Sequence, residues 1–381
     1  MKAGPVLRVS FNDDRQLRHA LAQLQQRRQG CPPPHTVHLK SRGGFASTVV
    51  NSKVSKLLAE LTRGHSYQTL DIDMPSVLVR DADIWALLRA SQKSLVSLRL
   101  RCSFVLWDDD LCAPNNKGLG LQNLTALESF SLHLGAVRDA DALVNAVADC
   151  PKLKSVTLAH RLSQATFQKL TRKPTLETLV CLENGVVDWS GTSSRPDGVS
   201  LESLCETLQS SSLKSLKLPA PPPHDTTVDI TPIATMLKED NNNTLEHLAL
   251  TIRQEQDVTI LARAVQHNQV LKRLEIRGTG LVDAIVSSFS PVLPGNLWLE
   301  EFKYNGCDVD ADPAIYMYVT LNKAGRKYLV EHGTRSDWAK VLISHHWNTT
   351  LVFHLLKTNP SLIKGMGLGS AMQQKNRLIN K

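Results

Sequence analysis

The sequence predicts an α/β fold. It is a curved solenoid (horseshoe) of stacked strand–helix units, with a parallel sheet on the concave face, helices on the convex face and a helical cap at its C-terminal end. Two observations predict it. A Leu-x-x-Leu-x-Leu pattern recurs along the chain, and its apolar residues alternate with polar ones, the period of a half-buried strand. Between the copies lie segments with apolar residues at i, i+3 and i+4, the single buried stripe of an amphipathic helix. One strand and one helix cannot bury their own apolar faces. Stacked units make a continuous core, and because the helix side is wider than the strand side the stack curves.

The elements follow in chain order. Val6–Phe11 reads as a strand and Asp13–Arg28 as a helix with Asn12 as its N-cap; Val37-His-Leu39 is the next strand, after the Cys31-Pro-Pro-Pro turn. The full pattern begins with Tyr67-Gln-Thr-Leu70-Asp-Ile72 and Leu95-Val-Ser-Leu98-Arg-Leu100. Further copies start at Leu127, Leu153, Leu176, Leu213, Leu245, Leu271 and Leu299. Eight steps from Tyr67 to Leu299 average 29 residues. Helices are predicted at Asp81–Ala90, Asp139–Ala148, Leu201–Leu208 and Asp257–Val265. Asp312–Leu362 reads as terminal helices whose Trp338, Val341, Leu342, Leu351, Phe353, Leu355 and Leu356 cover the open edge of the last unit. The expected division is 1–66 as N-terminal repeat-like units, 67–311 as the repeats, 312–362 as the cap and 363–381 as a flexible basic tail.

These copies, at this spacing and with helical connectors, resemble the ribonuclease-inhibitor-like class of leucine-rich repeat proteins. Leu321-Asn-Lys-Ala-Gly-Arg326 and the region after it look like C-terminal segments of some algal leucine-rich repeat proteins. The resemblance implies a non-catalytic scaffold that binds another protein on the concave face. Some members of the class stimulate GTP hydrolysis on small GTPases, but those usually carry an acidic C-terminal tail and this one is basic. A ubiquitin-ligase adaptor would carry an F-box-like helical module ahead of the repeats, and residues 1–66 are too strand-like for that. The sequence also departs from the class. An Asn or Cys normally follows each strand and ties neighbouring backbones into a ladder; eight residues on from each first Leu only Cys307 fits. A less regular horseshoe is expected, with long loops at Cys102–Lys117, Glu183–Val199 and Pro219–Thr231.

In such strands the third, fifth and seventh positions face the concave side. The third positions are Thr69, Ser97, Ser129, Ser155, Thr178, Ser215, His247, Arg273 and Glu301. Small hydroxyl residues are tolerated where strands crowd, and hydroxyls can also contact a partner's backbone. The fifth and seventh positions add Asp71, Asp73, Arg99, Arg101, Ser131, His133, Thr157, Lys217, Glu275, Arg277, Lys303 and Asn305. Arg99, Arg101, Arg273 and Arg277 are the candidate anchors for an acidic partner, since a guanidinium pairs bidentately and stacks on aromatics. The candidate binding residues are Asp71, Arg99, Arg101, Ser129, His133, Lys217, His247, Arg273, Glu275, Arg277 and Lys303. Cross-strand ion pairs, such as Asp71 with Arg99, are the structural alternative.

Composition narrows the partner class. The 381 residues carry a formal net charge of +8, and this excess lies at the ends: residues 1–30 and 361–381 each carry +4, and the body is neutral. A neutral body argues against nucleic acid, which needs a basic stripe along the binding face. The basic tail could touch an anionic surface weakly. Seven cysteines, an odd and sparse set, point to a reducing compartment, and no uninterrupted apolar leader precedes the first strand. A cytoplasmic or nuclear home is expected. No run approaches the length of a membrane span.

No enzyme chemistry assembles in the sequence, and no cofactor or metal is expected. Asp108-Asp109-Asp110 lacks the alternation and Gly of a calcium loop. His345-His346 are adjacent and cannot share a helix face. No phosphate-binding loop or nucleophile elbow is present. Cys150, Cys181 and Cys205 occupy apolar periodic positions and read as core fillers.

Overall fold

The computed structural model describes residues 6–11, 14–27, 35–41, 48–63, 66–79, 81–104, 121–133, 140–159, 162–182, 187–188, 199–221, 229–239, 244–308, 313–332 and 334–358. Asn12, the Asp108–Asp110 run and the basic tail lie outside them. The chain forms two compact units, Met1–Asp229 and Ile230–Lys381. Among the described residues no helix is long and apolar enough to cross a membrane.

The first unit alternates strands and helices. Its strands are β1 (Val6–Phe11), β2 (Thr36–Ser41), β3 (Thr69–Val79), β4 (Ser97–Phe104), β5 (Ser129–His133), β6 (Ser155–Leu158), β7 (Thr178–Cys181) and β10 (Ser215–Lys217). All of these pair in parallel, each beside the next in that order. Two short strands, β8 (Val187–Asp188) and β9 (Val199–Ser200), make a separate parallel pair within the expected Glu183–Val199 loop. The helices are α1 (Asp14–Arg27), α2 (Thr48–Thr62), α3 (Asp81–Ala90), α4 (Ala140–Ala148), α5 (Gln164–Thr171) and α6 (Leu201–Gln209). Residues 6–41 thus join the same sheet.

The core is the product of two periodicities. In β5 and β6 every second residue is buried: Phe130, Leu132, Val156 and Leu158. Helix α4 buries Leu143, Val144 and Val147, and α6 buries Leu201, Leu204, Cys205 and Leu208. Apolar strand positions therefore face apolar helix stripes, and the alternate strand positions are left on the opposite, polar face. Side-chain caps start the helices where the repeat needs them. Ser163 Oγ accepts from Thr166 N, Ser200 Oγ from Ser203 N, and Asp141 of α4 accepts from the Ser163 amide at 2.9 Å.

The second unit holds α7 (Thr231–Lys238), β11 (His247–Thr251), α8 (Glu255–His267), β12 (Arg273–Arg277), α9 (Val282–Phe289), β13 (Glu301–Tyr304) and β14 (Cys307–Asp308). β11, β12 and β13 are parallel, and β14 folds back antiparallel on β13. The two-residue connection Asn305-Gly306 has φ of 51° and 82°, the pair of left-handed residues of a type I′ hairpin. Four helices follow: α10 (Pro313–Lys323), α11 (Arg326–His332), α12 (Arg335–Ser344) and α13 (Thr349–Thr358). Leu321, Ala324, Leu329, Trp338, Leu351 and Leu355 form their core, with Val341 and Leu342 packed against it. Phe353 is not part of it. It is 59% exposed, because it lies on the opposite side of α13 from Leu351 and Leu355.

An asparagine ladder is present in the second unit, on the other side of the strands from the place the sequence suggested. Asn268 and Asn296 each stand three residues ahead of a first Leu. Asn268 Nδ2 donates to the Leu237 carbonyl at 2.8 Å, and its Oδ1 accepts from Val270 N and Leu271 N. Asn296 repeats the arrangement, donating to Val265 O and Asn268 O and accepting from Trp298 N and Leu299 N. Cys307 takes no such place and is exposed in β14. After the strand it is Asn305 that bridges backbones, accepting from Gly278 N at 2.9 Å and donating to Gly278 O at 2.7 Å.

Candidate partner-binding surface

Parallel register turns the alternate strand residues of each unit into rows on a polar face. In the first unit the outer row runs Thr36, Thr69, Ser97, Ser129, Ser155, Thr178 and Ser215. The next row runs Arg8, His38, Asp71, Arg99, Ser131, Thr157, Val180 and Lys217. The third runs Ser10, Lys40, Asp73, Arg101 and His133. Charge gathers on β1 to β4, and hydroxyl groups gather on β5 to β7. Lys217, on β10, is half-buried at the far end.

The charges are sandwiched across strands. Asp71 lies between His38, whose Nδ1 is 3.1 Å away, and Arg99, whose Nε is 3.9 Å away. Asp73 lies between Lys40 at 4.0 Å and Arg101 at 3.7 Å. Only the His38 contact is within hydrogen-bond distance. The Arg99 Nε is buried without a hydrogen-bond partner. Ser131 Oγ contacts His133 Nε2 at 2.8 Å. Burial, and then the charges of Arg99 and Arg101, push the His133 pKa below its usual value.

The polar face of the second unit is built differently. Its rows are His247–Arg273–Glu301 and Ala249–Glu275–Lys303, with Arg277 beside Thr251. Arg273 is paired with Glu301, Lys303 reaches Glu301 at 2.7 Å, and Arg277 Nε donates to Glu275 at 2.7 Å. Burial opposes ionisation of Glu301, but the Lys303 hydrogen bond and the Arg273 charge outweigh it and hold its pKa below the ordinary value. Burial and Arg273 lower the pKa of His247.

All the candidate residues therefore stand on polar sheet faces, but their local chemistry differs. Asp71, Arg99, Arg101 and His133 form one cluster in the first unit; Ser129 borders it, and Lys217 stands apart. His247, Arg273, Glu275, Arg277 and Lys303 form a compact set of ion pairs in the second. The sequence reading missed Arg8, His38 and Lys40 as face residues. Their signal is the alternation of Thr36-Val-His-Leu-Lys-Ser41, whose burial follows the strand period. Among the described residues no group of three His, Cys, Asp or Glu is placed to hold a metal ion. The three predicted core fillers are buried, and burial pushes each of Cys150, Cys181 and Cys205 up to about 12.

No family model and no curated protein matches the sequence. Among solved structures the chain is similar to an internalin from Listeria monocytogenes at 16% identity, over 75% of this chain and 72% of that one, with a TM-score of 0.34. It is also similar to TLR13 in a complex with single-stranded RNA, at 13% identity over 74% of this chain and 44% of that one, with a TM-score of 0.34. The chain thus spans less than half the length of the second. The recurring Leu-x-x-Leu-x-Leu strands, their parallel register and the helices between them give this chain a leucine-rich repeat fold.

Proposed function

We propose that this chain is a non-catalytic scaffold that docks another protein on the polar face of its sheet. The observation that carries the reading is the set of registered rows. Side chains from successive strands present one polar surface in the first unit, while the apolar positions are turned inward. A solenoid of this kind supplies an extended surface, and function resides in the side chains placed on it. The helical connectors favour the ribonuclease-inhibitor-like class over the others. The division into N-terminal units, repeats, cap and basic tail belongs to the same proposal, as does an intracellular home.

A photo-crosslinking residue at Ser129 or at Thr157 tests it, beside the same residue at exposed Glu202 on α6. The expected result is a protein adduct from the sheet positions and none from Glu202. The adduct's partner, purified, should lose binding to a Ser129→Arg/Thr157→Arg variant. Adducts confined to the Glu202 position would sink the proposal.

A further inference from the structure

We infer that the partner is engaged through an acidic segment, and that its anchor is the cluster Arg8, Lys40, Arg99 and Arg101 on β1, β2 and β4, with no contribution from the arginines of the second unit. This rests on the scaffold reading and names the chemistry of the occupant.

The cations of the two units differ in whether they already have acceptors. In the second unit Arg273, Arg277 and Lys303 are in hydrogen-bonding contact with Glu301 or Glu275. An incoming carboxylate would have to displace an existing one, and the exchange gains little. In the first unit four cations, Arg8, Lys40, Arg99 and Arg101, face two carboxylates, Asp71 and Asp73. Arg8 makes no ion pair among the described residues, and the three others sit 3.7 to 4.0 Å from their acids, beyond hydrogen-bond reach. Arg99 holds a buried Nε with no acceptor; Arg277 also has a buried Nη2 with none, but its Nε is already bonded to Glu275. A guanidinium that is positioned and half-desolvated but unbonded is suited to a carboxylate, which it can take bidentately.

The occupant's class follows from what stands between and beside these cations. Asp71 and Asp73 are interleaved with them, so a continuous phosphate backbone would meet two fixed negative charges. The described rows of this face carry no Phe, Tyr or Trp on which a base could stack. The flanking Ser97, Ser129 and Ser155 supply hydroxyl donors and acceptors suited to a peptide backbone. A protein segment with two or three carboxylates satisfies all three conditions.

The test uses the full chain and a fluorescein-labelled Glu/Ser peptide, with a Lys/Ser peptide and a single-stranded RNA as competing probes, read by fluorescence anisotropy. The acidic peptide is expected to bind, with affinity falling as salt rises. Arg99→Gln/Arg101→Gln should weaken it by about tenfold, and Arg273→Gln/Arg277→Gln by less than about twofold. Circular dichroism confirms that both variants fold, and Arg8→Gln, on the first strand and without an ion pair, provides a second and milder variant. Absence of peptide binding, a larger loss from the second-unit variant, or preferred binding of RNA would each overturn the inference. If the Ser129 crosslink still identifies a partner while the acidic peptide fails, only the acidic chemistry falls. If the crosslink also fails, the scaffold reading falls with it.

Discussion

Asn322 donates from its amide to the main-chain carbonyl of Asn296 at 2.9 Å, as Asn296 donates to that of Asn268 at 3.2 Å. A residue of the first cap helix thus fills the ladder place that a further repeat would fill. Asn322 also reaches Leu299 O at 3.0 Å, and Arg326 closes the end by contacting Asn322 Oδ1 and donating to Pro294 O. The Leu321–Arg326 segment is where the repeat series is terminated.

The ladder predicts a stability cost. Asn296→Ala leaves the Trp298 and Leu299 amides and the Asn268 carbonyl without the partner that Asn296 gives them in a buried place. The expected loss is about 2–4 kcal/mol in chemical denaturation. Asn305→Ala, at an exposed position, should cost about 1–2 kcal/mol, from the exposed bonds to Gly278 and from an alanine held at a φ of 51°. An equal loss at both sites would show that burial of the bonded groups does not govern the ladder.

Two nearby glycines are required for different reasons. A Cβ on Gly278 would stand 2.4 Å from the Ile252 carbonyl oxygen, and that backbone cannot yield easily. Gly280 has open space around it but a φ of +72°. Gly278→Ala should destabilise by about 2–3 kcal/mol and Gly280→Ala by about 1 kcal/mol. Thermal melts of the two variants check the order.

His133 carries a pH dependence of defined sign. The folded chain binds its proton less tightly than the unfolded chain, since burial, Arg99 and Arg101 all oppose the charged form. This group's contribution to stability is complete above the unfolded value of about 6.5 and is lost as pH falls below it, down through the lowered folded value. An NMR titration of the His133 ring should give a midpoint under 6.5. In Arg99→Gln/Arg101→Gln the midpoint should rise, because two charges that oppose the imidazolium are gone while Asp73 and Asp71, which favour it, remain.

Thiol reactivity should separate by burial. At pH 8 a thiol with a pKa near 12 is thiolate in only about one part in ten thousand, so Cys150, Cys181 and Cys205 should resist alkylation in the folded chain. Cys307 is exposed and should be labelled ahead of these three. Peptide mapping by mass spectrometry after timed alkylation reads this directly, and early labelling of Cys181 would contradict the buried core.

Some elements are plain in the sequence. Asp81–Ala90 and Val6–Phe11 have the same bounds in the structure as in the pattern, because their apolar spacing is unbroken. Helix α2 escapes that reading although Val54, Leu57, Leu58 and Leu61 form a buried stripe, because no full copy of the pattern precedes it. β3 runs to Val79, past the expected strand, and its register against β4 shifts between Met74 and Leu78. A local alternation does not reveal such an irregularity.

The sequence by itself determined the strand–helix repeat, the inward apolar positions and the polar rows, because those depend on the spacing of side chains along a few turns or a few strand residues. The sequence named Asp71 with Arg99, but only the tertiary structure decided that His38 shares Asp71 and that Arg277 turns to Glu275 on its own strand. The ladder asparagines likewise bond to residues as many as 31 positions away. Such pairings are set by parallel register and by the packing of successive helices, which bring distant residues together at hydrogen-bonding range.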